Sequence, residues 1–300
     1  MPKILQKNLK LIIIFFIMVS FSLVFFVYAY NPANNLKVNY LDVGQGDSVL
    51  IQTPYDQNIL IDGGDTDSKV LQQLPKFMPF WDRTIDLMIV SHPHDDHVGG
   101  LVKVVQRYKV KKILYTGVVH NSPAYLAWLS AVRDKNIEVV IIDRPQVIAL
   151  GENLYFDILY PFESLLNQEV DNLNNSSIIA KLIYKNNSFL FTGDAEYEIE
   201  KELLNREPPL PLGEGDGGEG VGVFLAGHHG SITSNSEEFL EAVAPEYAII
   251  QVGEDNDFGH PSLRVLKRFE RLGIKYYRND LNGWVQVVSN GEDMEVVAER

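Results

Sequence analysis

Cysteine is missing altogether from this 300-residue chain. Its absence excludes disulfides, thiolate metal ligands and a lipid anchor carried on cysteine. Basic residues are in deficit: 26 Lys and Arg stand against 40 Asp and Glu, for a formal net charge of −14. That balance disfavours generic binding to a polyanion, because affinity for nucleic acid is largely phosphate electrostatics. A phosphate substrate is not excluded, since bound cations would dominate the local field. No internal repeat indicates a solenoid or propeller. Histidine is scarce, with seven residues in all, yet His92, His94 and His97 fall within six positions. The rest is ordinary: 46% of residues are hydrophobic, and the length suits one large domain or two small ones.

Lys3, Lys7 and Lys10 precede an uncharged run of eighteen residues, Leu11–Tyr28. The run is just long enough to span a bilayer, and the lysines would stay on the cytoplasmic side. Residues 1–30 read as a single membrane anchor or as a signal peptide, with Val27-Tyr28-Ala29 fitting a small-x-small cleavage site. In both cases residues 36–300 are expected outside the cytoplasm, anchored to a bacterial envelope or secreted.

Beyond this segment, strand patterns alternate with helical ones. Leu36–Val43 alternates apolar and polar residues, as a half-buried strand does, and Ser48–Thr53 and Asn58–Ile61 follow as short strands. Helical periodicity marks 98–108, 123–134, 195–204, 236–243 and 261–272. Further strands are expected at 85–90, 112–115, 137–142, 154–160, 178–184, 189–192, 221–226 and 247–251. Many short strands and a handful of helices predict two sheets with helices on the outside. Glu207–Gly220 is Pro-rich, then Gly-rich, and acidic. It reads as a flexible exposed loop, lacking the lysine and helix start of a phosphate-cradling loop.

The densest chemistry is Ser91-His92-Pro93-His94-Asp95-Asp96-His97, directly after the apolar run Ile85–Val90. His-x-His-x-Asp-His on a loop leaving a strand can point two ligands at one metal and two at a second. Imidazole with carboxylate suits zinc, with manganese or iron also admissible. Two such ions form a hydrolytic centre that clamps attacking and leaving oxygens. The same order, strand then ligand-type residue, recurs at Ile61-Asp62, Phe191-Thr192-Gly193-Asp194, Ala226-Gly227-His228-His229 and Phe258-Gly259-His260. Singly, Asp194 reads equally as a turn residue and His260 as a helix cap. Together they gather one metal site along one sheet edge.

The set Asp62, His92-x-His94-x-Asp96-His97, Asp194 and His228 resembles the metallo-β-lactamase fold superfamily. More narrowly, Asp42-Val43-Gly44-Gln45-Gly46-Asp47-Ser48, Thr192-Gly193-Asp194-Ala195-Glu196, Gly227-His228-His229-Gly230-Ser231 and Gly259-His260-Pro261 resemble the hydrolase domain of competence proteins of the ComEC/Rec2 type, in a free-standing form. The resemblance runs from Leu36 to Val297. It implies an α/β fold, a four-layer αββα sandwich with its metal site at one sheet edge, and two divalent ions, zinc or manganese. His92 and His94 would hold one ion, Asp96, His97 and His228 the other, and Asp194 would bridge. Asp62 would orient a ligand or the loop. His228 is taken as ligand over His229 because it is one step nearer the strand end; a one-residue swap would exchange them. His229, Ser231 and His260 would face the substrate, with catalysis resting on Asp96, Asp194, His229 and His260. The wider superfamily carries a further His before the bridging Asp. Here no His lies between His120 and His228, and Asn174-Asn175-Ser176-Ser177 stands at that point, the aligned Asn being open by one residue, so that the first metal would be weakly held or completed by water or Asn175.

The resemblance implies an extracytoplasmic metallo-hydrolase, a phosphodiesterase or nuclease acting on single-stranded DNA beside a separate membrane channel. A phosphodiesterase of cell-envelope polymers or small molecules is the enzymatic alternative; a choline-teichoate phosphodiesterase has a related domain. A metal-binding DNA-docking module with little turnover is the alternative of another class. Lys103, Arg107, Lys109, Lys111 and Lys112 form one basic cluster, and Arg264, Lys267, Arg268, Arg271, Lys275 and Arg278 another. Each reads as a solvated face on an acidic chain or as a groove that tracks phosphates.

Overall fold

The computed structural model describes residues 3–29, 35–67, 69–206 and 220–300. Two units separate within it, Met1–Asn35 and Leu36–Arg300. In the first, Lys3–Ala29 is a single α-helix, and its described side chains, 10–23, are exposed. Among the described residues no helix is long and apolar enough to cross a membrane. The expected apolar run ends in positions 24–28, whose side chains lie outside the described set, as do residues 207–219 of the expected Pro/Gly-rich loop.

The second unit is built from strands buried on both faces, which is why they read as nearly unbroken apolar runs. Val49 and Ile51 enter one hydrophobic layer, while Leu50 between them enters another, as the two-residue period of a strand requires. The first sheet has eight strands, in spatial order Met294–Ala298, Val285–Ser289, Leu36–Tyr40, Val49–Gln52, Asn58–Ile61, Leu87–Ile89, Lys112–Tyr115 and Glu138–Ile141. The second has seven, in the order Lys275–Arg278, Tyr247–Ile250, Val223–Leu225, Asn187–Phe191, Ile179–Tyr184, Leu154–Tyr160 and Gln146–Gly151. A short parallel pair, Thr84–Ile85 with Lys109–Val110, is added at one end.

Three apolar layers hold this together. Val38, Ile51, Ile59 and Ile89 of the first sheet pack on Phe156, Leu182, Phe189 and Leu225 of the second. Outside the first sheet, Leu50, Leu60 and Met88 meet Leu74, Val104 and the fully buried Trp128 of its helices. Outside the second, Leu190, Phe224 and Ala248 meet Ile199, Phe239 and Phe269. The result is the expected αββα sandwich. Asn58–Ile61, Leu87–Ile89 and Lys112–Tyr115 run parallel, as do Asn187–Phe191, Val223–Leu225 and Tyr247–Ile250. The carboxyl ends of both groups converge on one edge, where the donor residues lie.

Some elements escape the sequence patterns. Val70–Phe77 is helical despite Pro75 inside it, because Val70 and Leu74 are buried against the sheet. Gln146–Gly151 is an edge strand of half-buried and exposed residues, too weakly patterned to stand out. Val285–Ser289 and Met294–Ala298 form the hairpin that closes the first sheet.

Candidate metal centre

Each donor stands where a strand ends. Asp62 follows Asn58–Ile61, the histidine loop follows Leu87–Ile89, Asp194 follows Asn187–Phe191, and His228-His229 follow Val223–Leu225. One donor atom from each of Asp96, His97, Asp194 and His229 lies within 4.8 Å of the others, and the same holds for His92, His94 and Asp194. Asp194 therefore belongs to both sets. Its carboxylate is 3.3 Å from His97 Nε2 and 3.7 Å from the Nε2 atoms of His92 and His229. His229 Nε2 is 3.3 Å from Asp96 Oδ2, and His92 Nε2 is 3.0 Å from His94 Nδ1.

Groups behind the donors fix their rings. Asp62 is buried and lies 2.9 Å from His97 Nδ1. It also accepts from the Ser91 hydroxyl at 2.6 Å and the Ser91 amide at 2.8 Å. A carboxylate at Nδ1 keeps the proton there and leaves the Nε2 lone pair aimed at the centre. His229 is held likewise, its Nδ1 2.9 Å from the Gln251 carbonyl and 3.2 Å from Asp47. Burial pushes the Asp62 carboxyl up, opposed by His97 and the Ser91 donors. Burial also works to raise Asp194, yet His97, His229 and His92 hold it well below the ordinary carboxylate range.

These residues fit divalent cations. His97 Nε2, Asp194 Oδ1 and His229 Nε2 are buried without a hydrogen-bond partner. Unpaired buried polar atoms are costly, and three that converge on one another would be supplied with a partner by a cation. Imidazole and carboxylate are the donor types such an ion takes.

Of the two neighbouring histidines, the sequence expectation took His228 as ligand, whereas the donor geometry favours His229. His229 is in the four-donor set; His228 is in neither set, although its Nε2 also lies 3.7 Å from Asp194 Oδ2, and its Nδ1 is near Thr233 Oγ1 at 3.1 Å and Glu196 at 3.4 Å. Counting steps from the strand end assumes an extended chain. Here His228 and His229 both adopt left-handed backbone, at φ 50° and 55°, inside the turn Gly227–Gly230. The turn carries the second ring inward and leaves the first beside the cavity.

The remaining expected residues separate in a similar way. Asn175 accepts from the Glu196 amide at 2.9 Å and donates to Glu198, so it clamps the loop after Asp194. Asn174 instead borders the cavity and donates to Glu196. Ser231 is buried and bonded to Thr233 within its own turn, not turned toward a substrate. His260 lies beside the centre, its ring 5.6 Å from that of His228. Burial, with His228 and His229 nearby, pushes its imidazole down to about 4, so it is neutral at pH 7. His120 sits 6.0 Å from the His94 ring and borders the same cavity. Site residues missed from sequence are Asp47, Ser91 and Gln251. Asp47 and Ser91 lie within the motifs quoted above, whereas Gln251 carries no local signal.

Beside the donors opens a cavity of about 640 Å³, bordered by His94, Asp96, Asp194, His228 and Phe258 among others. Gly46 lets the loop Val43–Ser48 close over Asp96. Its φ is +107°, and a Cβ there would stand 1.9 Å from the Asp96 carbonyl oxygen.

A shared carboxylate between two imidazole sets, at the carboxyl edge of an αββα sandwich, defines a metallo-hydrolase fold. Residues 41–254 match the model of the metallo-beta-lactamase superfamily, and the chain belongs to that superfamily. It is 29% identical over 268 residues to ComE operon protein 3 of Bacillus subtilis (strain 168), covering 83% of this chain and 32% of that protein. It is also 29% identical over 255 residues to competence protein ComA of Neisseria gonorrhoeae, covering 85% of this chain and 32% of that protein. The chain thus spans about a third of the length of the curated relatives it matches. Among solved structures, CmlA, a diiron beta-hydroxylase from Streptomyces venezuelae, is similar in fold alone. Its TM-score is 0.53 at 15% identity, covering 89% of this chain and 55% of that chain.

Proposed function

We propose that this chain is a metal-dependent phosphodiesterase acting on nucleic acid outside the cytoplasm, beside a separate membrane channel that carries the strand. One observation carries the chemistry: Asp194 stands in both donor sets, so the two sets share a carboxylate. Two divalent ions, zinc or manganese, would supply Lewis acidity at the ester and a nucleophile at neutral pH. His92, His94 and Asp194 would hold one of them, and Asp96, His97, Asp194 and His229 the other. Asp62 and the Gln251 carbonyl keep the inner nitrogens of His97 and His229 aimed at the centre. His228, tied through Nδ1 to Thr233 and with Nε2 3.7 Å from Asp194, would meet a substrate oxygen at the cavity wall. The competence proteins among the relatives support nucleic acid as the substrate class.

A second substrate class, small diesters or cell-envelope polymers, is favoured by the lining of the cavity. Asp65, Asp95, Asp255 and Asp257 border it, and among the described residues no Lys or Arg does. Nor does the basic helix Leu263–Leu272 with its following strand offer a free phosphate track. Arg268 donates to the Asn235 carbonyl, while Arg271, Lys275 and Arg278 pair with Glu237, Glu246 and Asp280.

The test is hydrolysis of single-stranded DNA and of bis(p-nitrophenyl) phosphate with added Mn²⁺ or Zn²⁺, beside Asp194→Ala and His94→Ala. Metal-dependent DNA cleavage lost in both variants supports the nuclease. Turnover of the small diester alone moves the substrate to the second class. Metal binding with no turnover of either overturns the enzyme and leaves a docking module.

A further inference from the structure

At the opposite end of the first sheet, Pro79–Asp82 forms a tight turn closed by the Asp82 amide on the Pro79 carbonyl at 3.0 Å. Its two central residues are Phe80 and Trp81, 83% and 74% exposed, with their rings edge to face at 4.8 Å. Turn tips favour Gly, Asn, Asp and Pro for conformational reasons. Nothing in this turn requires aromatic side chains, and holding two of them in water is unfavourable. The acid of the turn is occupied: Asp82 accepts from Asn58 at 2.8 Å and from the Thr84 amide at 3.0 Å.

Cations surround the pair. Arg83 follows it directly, and the Arg83 carbonyl accepts from the Lys109 amide at 2.8 Å, which brings Lys109 alongside. Arg107 ends the helix Leu101–Arg107, two residues before Lys109. Arg83, Arg107 and Lys109 are exposed and make no ion pair among the described residues. Neighbouring acids are already matched, Asp86 by Lys111 at 2.6 Å and Glu138 by Lys112 at 2.9 Å. On a chain of net charge −14, this is a locally positive end capped by two exposed aromatics.

We propose that this end docks on an anionic lipid surface, with Phe80 and Trp81 entering the headgroup region and Arg83, Arg107 and Lys109 meeting lipid phosphates. Trp is favoured at such an interface because its ring is apolar and its N–H stays hydrated, and clustered cations gain from anionic headgroups. A strand of nucleic acid would also attract the cations. However, the two rings contact each other on a projecting turn, so no slot for a base lies between them. The end is also remote from the donors. Asn58–Ile61, Leu87–Ile89 and Lys112–Tyr115 start beside this patch and finish at the metal centre, which therefore faces away from the docked surface. The inference stands on this geometry and not on the proposed substrate.

The test reads Trp81 in the full chain. The other tryptophans are separable: Trp128 is fully buried, and Trp284 packs edge-on against Phe77 at 5.2 Å. With vesicles of phosphatidylcholine and phosphatidylglycerol, we expect a blue shift of emission and quenching by brominated phosphatidylglycerol. Both should be absent in Trp81→Phe and in pure phosphatidylcholine. The triple variant Arg83→Gln, Arg107→Gln, Lys109→Gln should lose about a hundredfold in vesicle concentration dependence of that signal. Unchanged Trp81 emission on vesicles that sediment with the protein would overturn the proposal. So would a response of Trp81 to single-stranded DNA with none to anionic lipid, which would make the patch a nucleic-acid contact.

Discussion

Asp62→Asn is the substitution that most directly tests how the centre is held. The volume is nearly unchanged, but the amide orientation is dictated by Ser91. Its backbone N–H donates to Asp62 Oδ1 at 2.8 Å and must still find an oxygen there. The new –NH₂ then takes the Oδ2 position, 2.9 Å from His97 Nδ1. An N–H donor at Nδ1 forces the imidazole proton onto Nε2, the atom 3.3 Å from Asp194 that should face the cation. Loss of a group that orients a metal-ligating His costs about 10- to 100-fold in affinity, or about 1.4 to 2.8 kcal/mol. The metal-free protein should respond differently. Without metal, Asp62 is the buried partner of His97 at 2.9 Å, so the amide removes one side of a buried pair and stability without metal should fall by about 1 to 3 kcal/mol. Competition against a chromophoric chelator measures the first quantity, and thermal unfolding with EDTA the second. A folded Asp62→Asn protein that binds Zn²⁺ or Mn²⁺ within twofold of the parent would refute the reasoning.

Three further outcomes are expected. His229→Ala should weaken metal binding by at least about tenfold, whereas His228→Ala should keep metal affinity and lower turnover; equal losses of metal in both would undo the distinction between the neighbours. Gly46→Ala, with its Cβ 1.9 Å from the Asp96 carbonyl and φ at +107°, should cost about 2 to 4 kcal/mol, read as a lowered midpoint in urea. Asp255→Asn with Asp257→Asn removes two of the carboxylates bordering the cavity; KM for an oligonucleotide should fall severalfold at low salt while KM for a neutral-flanked small diester stays put, and the gain should vanish at high ionic strength.

The legible part of this protein and the illegible part divide at the ends of its strands. Asp62, His92 and Asp194 could be placed from sequence because each comes a step or a few steps after an apolar run buried on both faces, where only one edge of the sandwich is available to a polar side chain. His229 could not, because two consecutive left-handed residues break the count. Asn174 and Asn175 fall in the tight turn Leu173–Ser176, where the same one-residue ambiguity recurs. The helix Val70–Phe77 was hidden by Pro75, since local propensity argued against an element that burial of Val70 and Leu74 sustains. Charge was the least legible of all. The cluster from Arg264 to Arg278 reads in sequence as a candidate phosphate track, yet four of its six members bind acids or a carbonyl, three of these partners brought from elsewhere in the fold. Arg83, by contrast, belongs to neither sequence cluster and becomes prominent only when the pairing of Thr84 with Lys109 sets it beside Lys109. The same parallel strands that gather ligands at their carboxyl ends gather cations and two aromatics at their amino ends. A sheet of this topology thereby separates two surfaces by the length of its strands, and the acid-bordered, metal-ready edge need not compete with the basic one for the same anion.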